Sequence, residues 1–267
     1  MKKLKSIILV SSLAVVTGFF SCKRDMALRD PAVPVSGNSA NISLIDVAPN
    51  LSTVLGVKAD TFNVLFNSVK VSGYTVGTSP VMTFSGIYPL AGTATGYASI
   101  PAGDQTIKFA RGVNTQDSLV LFTFNESLQA NSYYTLLITD SIKSGNDAAR
   151  MFLKDNFTPV DTGFYNMRFV NAVLNDTAGV DVWSKQQAKN IFANVKPGSV
   201  VDFAKFNSSW GTDTLFCRRA GTAVGLDTLL TQNFYSLRTY TLVYKGNAFS
   251  AVKTDTKRRH LITYVNR

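Results

Sequence analysis

The chain has 267 residues, enough for one large domain or two domains of about 100 to 120 residues. Only 16% of the residues are charged, while 45% are hydrophobic and 11% aromatic, which excludes a disordered or collagen-like chain. The net charge is +10, and Glu126 is the one glutamate among 17 acidic residues. Because aspartate favours turns whereas glutamate favours helices, this bias indicates β structure.

The first 21 residues have the pattern of a secretory signal peptide. Three lysines precede an apolar run from Ile7 to Phe20, which is too short to span a bilayer. The run ends at Ser21 and Cys22 and resembles the lipobox of a Gram-negative lipoprotein, in which Cys22 would be acylated and become the first mature residue. Phe19 stands where leucine is commoner. The alternative is an ordinary signal peptide followed by an incidental cysteine.

Residues 22–39 are predicted to form a flexible tether, because they are rich in proline, serine, glycine and alternating charges. Within this range, the 16 residues from Lys23 to Asn38 form a coil that spans roughly 20 to 25 Å, which would hold a folded body clear of lipid headgroups. Acyl chains on Cys22 would make the membrane attachment stable. Removal of residues 1–21, which contain three lysines and no acid, leaves a net charge of 24 − 17 = +7.

Short runs of β-branched and aromatic residues follow the tether, separated by Gly, Pro, Asn and Asp, which is typical of β-sandwiches. The predicted strands of the first half are Ile42 to Val47, Phe62 to Phe66, Gln105 to Ala110, Ser118 to Phe124 and Tyr133 to Thr139. Those of the second half are Met167 to Ala172, Val180 to Trp183, Val200 to Phe203, Thr214 to Arg218 and Tyr240 to Lys245. Ala188 to Val195 has a weak helical pattern.

The order of these runs repeats along the chain. ISLIDVAPN at position 42 is echoed by MRFVNAVLND at 167, FNVLFN at 62 by VDVWSK at 180, and SYYTLLITD at 132 by RTYTLVYKG at 238. Two copies of one unit explain this order. We therefore expect an all-β protein with two tandem antiparallel β-sandwich modules, immunoglobulin-like or transthyretin-like, at residues 40–160 and 161–267.

Four segments are distinctive: the opening strand with its Asn/Asp-rich turn, the VDVW strand, YASIPAGDQTIKF from Tyr97, and MFLKDNFTPVDTGFYNMRFVNA from Met151. Together they resemble the domain of unknown function 4397 family. The resemblance covers about residues 40 to 265 and weakens from Ser184 to Trp210. It implies β-sandwich repeats of secreted or envelope-anchored proteins, without an agreed activity and without functional residues to transfer.

The sequence offers few residues for catalysis or metal binding. His260 is the one histidine and lies among cations, a setting that suits a solvated edge residue. Cys217 lies in a predicted strand, which favours a small buried hydrophobe over a reactive thiol. One histidine and one non-lipidated cysteine cannot form a common zinc site, and the glycine spacings of nucleotide-binding loops are absent. We therefore expect no cofactor and no metal.

Aspartates and glutamate offer two alternatives to a purely structural role. Glu126, Asp104 and Asp117 are candidates for a carboxylate pair of a glycoside hydrolase, although the first two lie in segments that indicate turns. The set Asn175, Asp176 and Asp181 is a candidate for calcium, although its spacing does not match a known calcium loop.

Cations accumulate near the carboxyl end of the chain. From position 245 onward there are six cations and one acid, which supply 6 − 1 = +5 of the net charge of +7 that remains after removal of residues 1–21. Two interpretations remain open: contact with anionic lipid or an acidic glycan, or a solvated edge strand that uses charge to prevent strand addition. Nucleic acid is not expected in an envelope compartment.

Aromatic residues define the candidate ligand surface. Trp183 lies in a predicted strand and is predicted to be buried in the hydrophobic core, whereas Trp210 lies in a loop-like segment. Trp210, Tyr74, Tyr88 and Tyr97 are therefore the candidate ligand-binding residues. The expected protein is an outer-membrane lipoprotein anchored through Cys22, without enzymatic activity, which binds a glycan or an envelope protein or has a structural role. The alternative is an envelope hydrolase.

Overall fold

The computed structural model describes residues 37–51, 53, 62–72, 84–89, 96–111, 120–139, 151–208, 212–250 and 255–266. Within these ranges the named elements are β-strands arranged in sandwiches, which confirms the predicted all-β class, and helical backbone occurs at Leu51 and Thr53. The described part of the chain contains no helix with the length and apolar content needed to cross a bilayer.

Nine described strands lie before residue 160 and form the first module. They are β1 (Ser39–Asp46), β2 (Phe62–Phe66), β3 (Val69–Ser72), β4 (Ile87–Tyr88), β5 (Ala98–Pro101), β6 (Gly103–Arg111), β7 (Val120–Leu128), β8 (Tyr133–Ile138) and β9 (Met151–Lys154).

Eight described strands follow and form the second module. They are β10 (Phe164–Asn171), β11 (Val180–Ser184), β12 (Lys189–Val195), β13 (Val200–Asn207), β14 (Asp213–Arg219), β15 (Gly225–Gln232), β16 (Thr239–Lys245) and β17 (His260–Val265). The predicted module boundary, between residues 160 and 161, falls in the connection from β9 to β10.

Each module consists of two sheets with the same strand order. The inner sheets are β4-β1-β8-β9, with β5 also paired to β1, and β13-β10-β16-β17. The outer sheets are β3-β2-β6-β7 and β12-β11-β14-β15. The echoed sequence segments occupy equivalent strands, since β1 matches β10, β2 matches β11 and β8 matches β16. The repeat in the sequence is therefore a repeat of topology.

The inner sheets are mixed, which corrects the expectation of purely antiparallel sheets. β1 runs parallel to β8 and β10 runs parallel to β16, while their other pairings are antiparallel. In each module the chain leaves the inner sheet after β1 or β10, forms strands of the outer sheet, and returns as β8 or β16. This long crossover allows the two inner strands to run in the same direction.

The inner strands bury both of their faces. In β1, Ile42 and Leu44 face the core of the first module, whereas Ile45 faces the opposite way and packs against the second module. In β10, Phe169 faces the core of its own module and Val170 faces the first module. The outer face of each inner sheet therefore meets the outer face of the other.

A third hydrophobic cluster joins the two modules, and we call it the interface core. It contains four buried residues from each module: Ile45, Val47, Leu137 and Met151 from the first, and Val170, Ala172, Val243 and Tyr264 from the second. Because removal of apolar surface from water is the main stabilising term in folding, this cluster fixes the two sandwiches against one another.

The strand β12 replaces the helical turn predicted for Ala188 to Val195. Phe192 and Val195 both face the core although they are three residues apart, a spacing that resembles a helix. The register with β11 shifts between Val180 and Val182, and Asn194 has a φ of 48°, so a bulge places both side chains on one face.

Candidate functional site

An aromatic platform lies on the outer face of the outer sheet in the second module. It consists of Trp183 on β11 with Phe216 and Arg218 on β14. The two rings lie 5.6 Å apart at a 58° tilt, and Cζ of Arg218 lies 4.4 Å from the centroid of the indole ring and 5.4 Å from that of Phe216. Strand pairing holds them together, because Trp183 is the register partner of Phe216.

Trp183 is half-buried and faces outward, so its predicted place in the core is wrong. Its strand was predicted correctly, but Val180 and Val182 occupy the core-facing positions with 0% exposure. On β14, Leu215 and Cys217 likewise face the core and Phe216 and Arg218 face outward. This alternation was visible in the sequence and would have revealed the platform once β11 and β14 were paired.

The platform borders an open concavity of about 480 Å³. Its lining includes Asp181 and Asn190 as well as Trp183 and Arg218, and one wall is the turn at residues 221–223. Asp181 holds this site together. Its carboxylate accepts hydrogen bonds from the backbone N–H of Asn194 at 2.7 Å, from the backbone N–H of Gly221 at 2.9 Å, and from Nδ2 of Asn190 at 3.2 Å.

At the equivalent described positions, the first module does not repeat the platform residues. Register places Leu65 of β2 where Trp183 stands, and Lys108 and Ala110 of β6 where Phe216 and Arg218 stand. Leu65 is 6% exposed. The two copies therefore share a scaffold, and the combination of two aromatic rings with an arginine at these positions is particular to the second copy.

A buried set of polar side chains, which we call the interface polar network, lies between the inner sheets. Asp155 and Arg168 form an ion pair, and Asp155 also accepts hydrogen bonds from Tyr97 at 2.5 Å and Thr135 at 2.6 Å. The network continues through Asn266, which donates to the Tyr97 hydroxyl at 2.8 Å. Burial, followed by the charge of Asp155, raises the pKa of Tyr97 well above its ordinary value.

A second concavity of about 390 Å³ lies beside this network, and its lining includes Tyr133, Lys154, Asp155 and Phe157. The rings of Tyr133 and Phe157 lie 5.3 Å apart. Asp155 is 4% exposed and already accepts three hydrogen bonds, so this concavity ends at a carboxylate that is fully engaged in joining the modules.

The candidate ligand residues are not gathered by the structure into one described surface. Tyr97 is 7% exposed and belongs to the interface polar network, and Tyr88 is half-buried and packs against the core of the first module. Trp210 and Tyr74 lie outside the described residues, as does Cys22. A ligand surface at Trp210 and Tyr74 thus stays a prediction.

The two described hydrolase candidates lie on opposite faces of one sheet. Asp104 is in β6 and Glu126 in β7, not in turns as predicted. Asp104 pairs in register with Ser127, whereas Glu126 pairs with Gln105, and successive residues of a strand point to opposite faces. Asp117 lies outside the described ranges.

The candidate calcium ligands have other partners. Asp176 pairs with Arg219 at 2.8 Å and Arg259 at 3.6 Å, and Asn175 bonds to Asn247 at 2.7 Å. Burial alone would raise the pKa of Asp176, but hydrogen bonds from Arg219 and the Ala178 backbone lower it below its ordinary value. Across the described ranges, no group of three His, Cys, Asp or Glu side chains is placed to hold a metal ion.

The described part of the basic C-terminal segment is largely enclosed by the fold. Lys245 is 1% exposed, Arg258 lies 3.4 Å from Asp227, and Arg259 lies 3.6 Å from Asp176. The expected solvated edge is therefore wrong for Lys245, whereas the side chains of Arg258 and Arg259 are 30% and 26% exposed, and β17 is an edge strand.

The histidine and the described cysteine are not arranged as a catalytic pair. Nδ1 of His260 lies 4.0 Å from Asp227, and burial, followed by the charge of Arg258, lowers the pKa of His260. Cys217 is 0% exposed in the core of the second module, and burial raises its pKa, which confirms its predicted place as a small buried side chain.

The chain belongs to the family described as "Domain of unknown function (DUF4397)", whose model matches residues 40–175. This confirms the predicted resemblance over the first module and the first strand of the second, β10. The match is shorter than the predicted range of 40 to 265. No curated protein matches the chain significantly.

Among solved structures, the chain is similar to the Bacillus anthracis TIE protein, with 12% identity and a TM-score of 0.22 over 79% of this chain and 34% of that one. It is also similar to the family 26 carbohydrate-binding module of Eubacterium rectale Amy13K, solved with maltoheptaose, with 10% identity and a TM-score of 0.23 over 85% and 96% of the two chains.

A leucine-rich repeat protein from Bacteroides thetaiotaomicron is similar at 9% identity and a TM-score of 0.21, over 79% of this chain and 26% of that one. The chain thus spans about a third of the TIE protein and about a quarter of the leucine-rich repeat protein. With these TM-scores the likenesses carry no conclusion about function.

Proposed function

We propose that this protein is a non-catalytic glycan-binding module of the cell envelope and that the aromatic platform is its binding surface. The observation that carries the proposal is the cluster of Trp183, Phe216 and Arg218 beside a concavity of about 480 Å³. Aromatic rings accept the apolar C–H face of a pyranose ring, and neighbouring polar groups bond its hydroxyls. A rigid sheet positions all three side chains.

The size of the site favours a small portion of a polymer over a protein surface. A volume of about 480 Å³ lies within the range of about 300 to 1,000 Å³ that is typical of small-ligand pockets. A stable protein interface needs about 800 Å² from each partner. A few sugar rings suit a concavity of this size.

The internal repeat supports the same proposal. Both modules need their outer sheet to fold, yet the outward positions held by Trp183, Phe216 and Arg218 are leucine, lysine and alanine in the first module. The scaffold alone therefore does not require the platform residues, and a partly exposed tryptophan on a sheet face serves binding better than stability.

We propose further that the protein is a lipoprotein of the outer membrane, anchored through acylated Cys22 and spaced by residues 23–38. The support is the sequence pattern: a cationic start, an apolar run and a small residue before the cysteine. In this arrangement the anchor holds the body at the membrane, and the platform is presented on the outer sheet.

The test of glycan binding uses the folded body, residues 37–267, and a panel of neutral and acidic polysaccharides in affinity electrophoresis. Retention is expected for the wild type and is expected to fall about tenfold or more in Trp183→Ala, because stacking on an aromatic ring contributes about 1 to 3 kcal/mol. The matched control is Phe249→Ala, which removes an aromatic ring that is 79% exposed and lies between β16 and β17, away from the platform strands. Equal retention of both variants would remove the platform from the proposal.

The test of the anchor is metabolic labelling with palmitate in the native cell. Wild type is expected to carry the label and to fractionate with the outer membrane, whereas Cys22→Ser is expected to lose both properties. Label that persists in Cys22→Ser would contradict the anchor without affecting the platform.

A further inference from the structure

The arginine of the platform has no acceptor in the described part of the protein. Arg168, Arg219, Arg258 and Arg259 each pair with an aspartate. Arg218 instead lies over the rings of Trp183 and Phe216, and its guanidinium has no hydrogen bond or ion pair among the described residues. Its guanidinium therefore keeps its N–H donors for another molecule.

The neighbouring aspartate does not neutralise this arginine by direct contact. Asp181 is the register partner of Arg218 on the adjacent strand. However, its carboxylate accepts from Asn190 and from the backbone N–H groups of Asn194 and Gly221. The carboxylate thus holds the turn, and the guanidinium stays half-buried over the rings.

The platform itself offers two donors to a ligand, the guanidinium of Arg218 and the indole N–H of Trp183. The Thr222 hydroxyl is used within its own turn, since it donates to the Arg219 carbonyl at 2.9 Å and accepts from Val224 N–H at 3.2 Å. In the described structure, no acceptor is present for the indole N–H of Trp183. A ligand for this surface therefore needs acceptor oxygens beside an apolar face.

We infer that the platform recognises an acidic glycan, a polymer of uronic acid, whose carboxylate binds Arg218 while a sugar ring packs on Trp183. This inference rests on the proposed function and specifies its ligand class. A guanidinium forms two parallel hydrogen bonds to a carboxylate, and a neutral sugar offers no group of that geometry. Stacking on aromatic rings fixes the plane of the guanidinium, so little side-chain freedom is lost on binding.

The experiment compares polygalacturonate with its fully methyl-esterified form, which keeps the backbone and removes the charge. Wild type is expected to bind polygalacturonate at least about tenfold more tightly, and Arg218→Gln is expected to lose that preference, because glutamine cannot form the charge-assisted bidentate contact. Arg238→Gln is the matched control, because it removes an equal charge from an exposed turn.

Each outcome distinguishes the two proposals. Absence of binding to neutral and acidic polysaccharides alike would overturn the proposed function. Binding that is equal for the acidic and esterified polymers, or that falls equally in Arg218→Gln and Arg238→Gln, would overturn the inference alone. Binding of polyglutamate as tight as that of polygalacturonate would also overturn it, since the surface would then recognise carboxylates without a sugar.

Discussion

At the scale of single residues, a charged pair is buried between two all-β modules. Arg168 is 1% exposed and Asp155 is 4% exposed, and each comes from a different side of the interface. Arg168 also donates from Nε to the Thr241 hydroxyl at 2.8 Å and lies 4.7 Å over the ring of Phe203. A buried charge is tolerated when partners satisfy it, and the network does so at Nε and Nη1 of Arg168, whereas Nη2 has no hydrogen-bond partner among the described residues.

Removal of one partner from this pair is expected to be costly. Arg168→Met leaves Asp155 buried without its cation and is expected to lower the free energy of unfolding by about 3 to 5 kcal/mol. The double variant Arg168→Met with Asp155→Leu is expected to recover part of that loss, because no uncompensated charge remains. Urea denaturation measures both. A loss below about 1 kcal/mol in the single variant would contradict a buried ion pair.

Lys245 predicts a pH dependence of stability. Burial lowers its pKa from 10.5 to about 8, although the charge of Asp46 acts in the opposite direction. Below pH 8 the lysine is protonated in both states and the cost of burial is fully present. Between pH 8 and 10.5 the unfolded chain binds more protons than the folded one, so stability rises with pH.

The measurement is urea denaturation of wild type and Lys245→Met at pH 7 and pH 9.5. Wild type is expected to gain about 2 kcal/mol relative to the variant over this interval. The variant is the control for all other titrating groups, including the tyrosines whose pKa values are raised by burial. A difference between the two proteins that does not change with pH would show that Lys245 is not buried as a charge.

At the scale of elements, an equivalent tyrosine hydrogen bond occurs at β8 and at β16, the second strand of each parallel pair. The hydroxyl of Tyr134 in β8 accepts a hydrogen bond from the backbone N–H of Gln129 at 2.9 Å. Tyr240 in β16 accepts one from the N–H of Tyr235, also at 2.9 Å and also five residues upstream. This geometry corresponds to the tyrosine corner of β-sandwiches, and it fixes the loop to the strand that follows.

Tyr134→Phe and Tyr240→Phe are therefore expected to lower the free energy of unfolding by equal amounts. Each variant keeps the buried ring and removes one hydrogen bond, so each is expected to lower the free energy of unfolding by about 1 kcal/mol. Chemical denaturation of the two variants side by side tests the equivalence, and Tyr235→Phe, at a tyrosine that is 65% exposed, is the control. Effects that differ by more than about 1 kcal/mol would show that the two corners are not the same device.

At the scale of the whole molecule, the two sandwiches form one folded body. The interface core and the interface polar network bury the outward faces of both inner sheets, so neither module keeps that surface buried when it is separated. The tandem repeat is thus a pair of modules that share a third hydrophobic core, and the two modules are not independent domains joined by a linker.

One cooperative unfolding transition is expected for residues 37–267 in calorimetry, with equal calorimetric and van't Hoff enthalpies. Val170→Asp, which places a charge in the interface core, is expected to lower the transition temperature and to separate the two modules into two transitions. Val201→Asp, at an exposed position of β13, is the control. Two resolved transitions in the wild type would contradict the single unit.

The sequence by itself determined the class of the fold, the family and the repeat. Local β propensity and turn residues located strands such as β2 and β16, and the burial of Cys217 followed from its strand. These properties depend on neighbours along the chain, so they are available before any strand is paired.

Only the tertiary structure decided which faces are buried and what meets on them. The strands β1, β8, β10 and β16 are buried on both sides because a second module covers them. The platform exists because β11 and β14 are adjacent in the sheet, which places Trp183 beside Arg218 although they are far apart in sequence. Strand order and packing are non-local, and for that reason the pattern of one strand does not contain them.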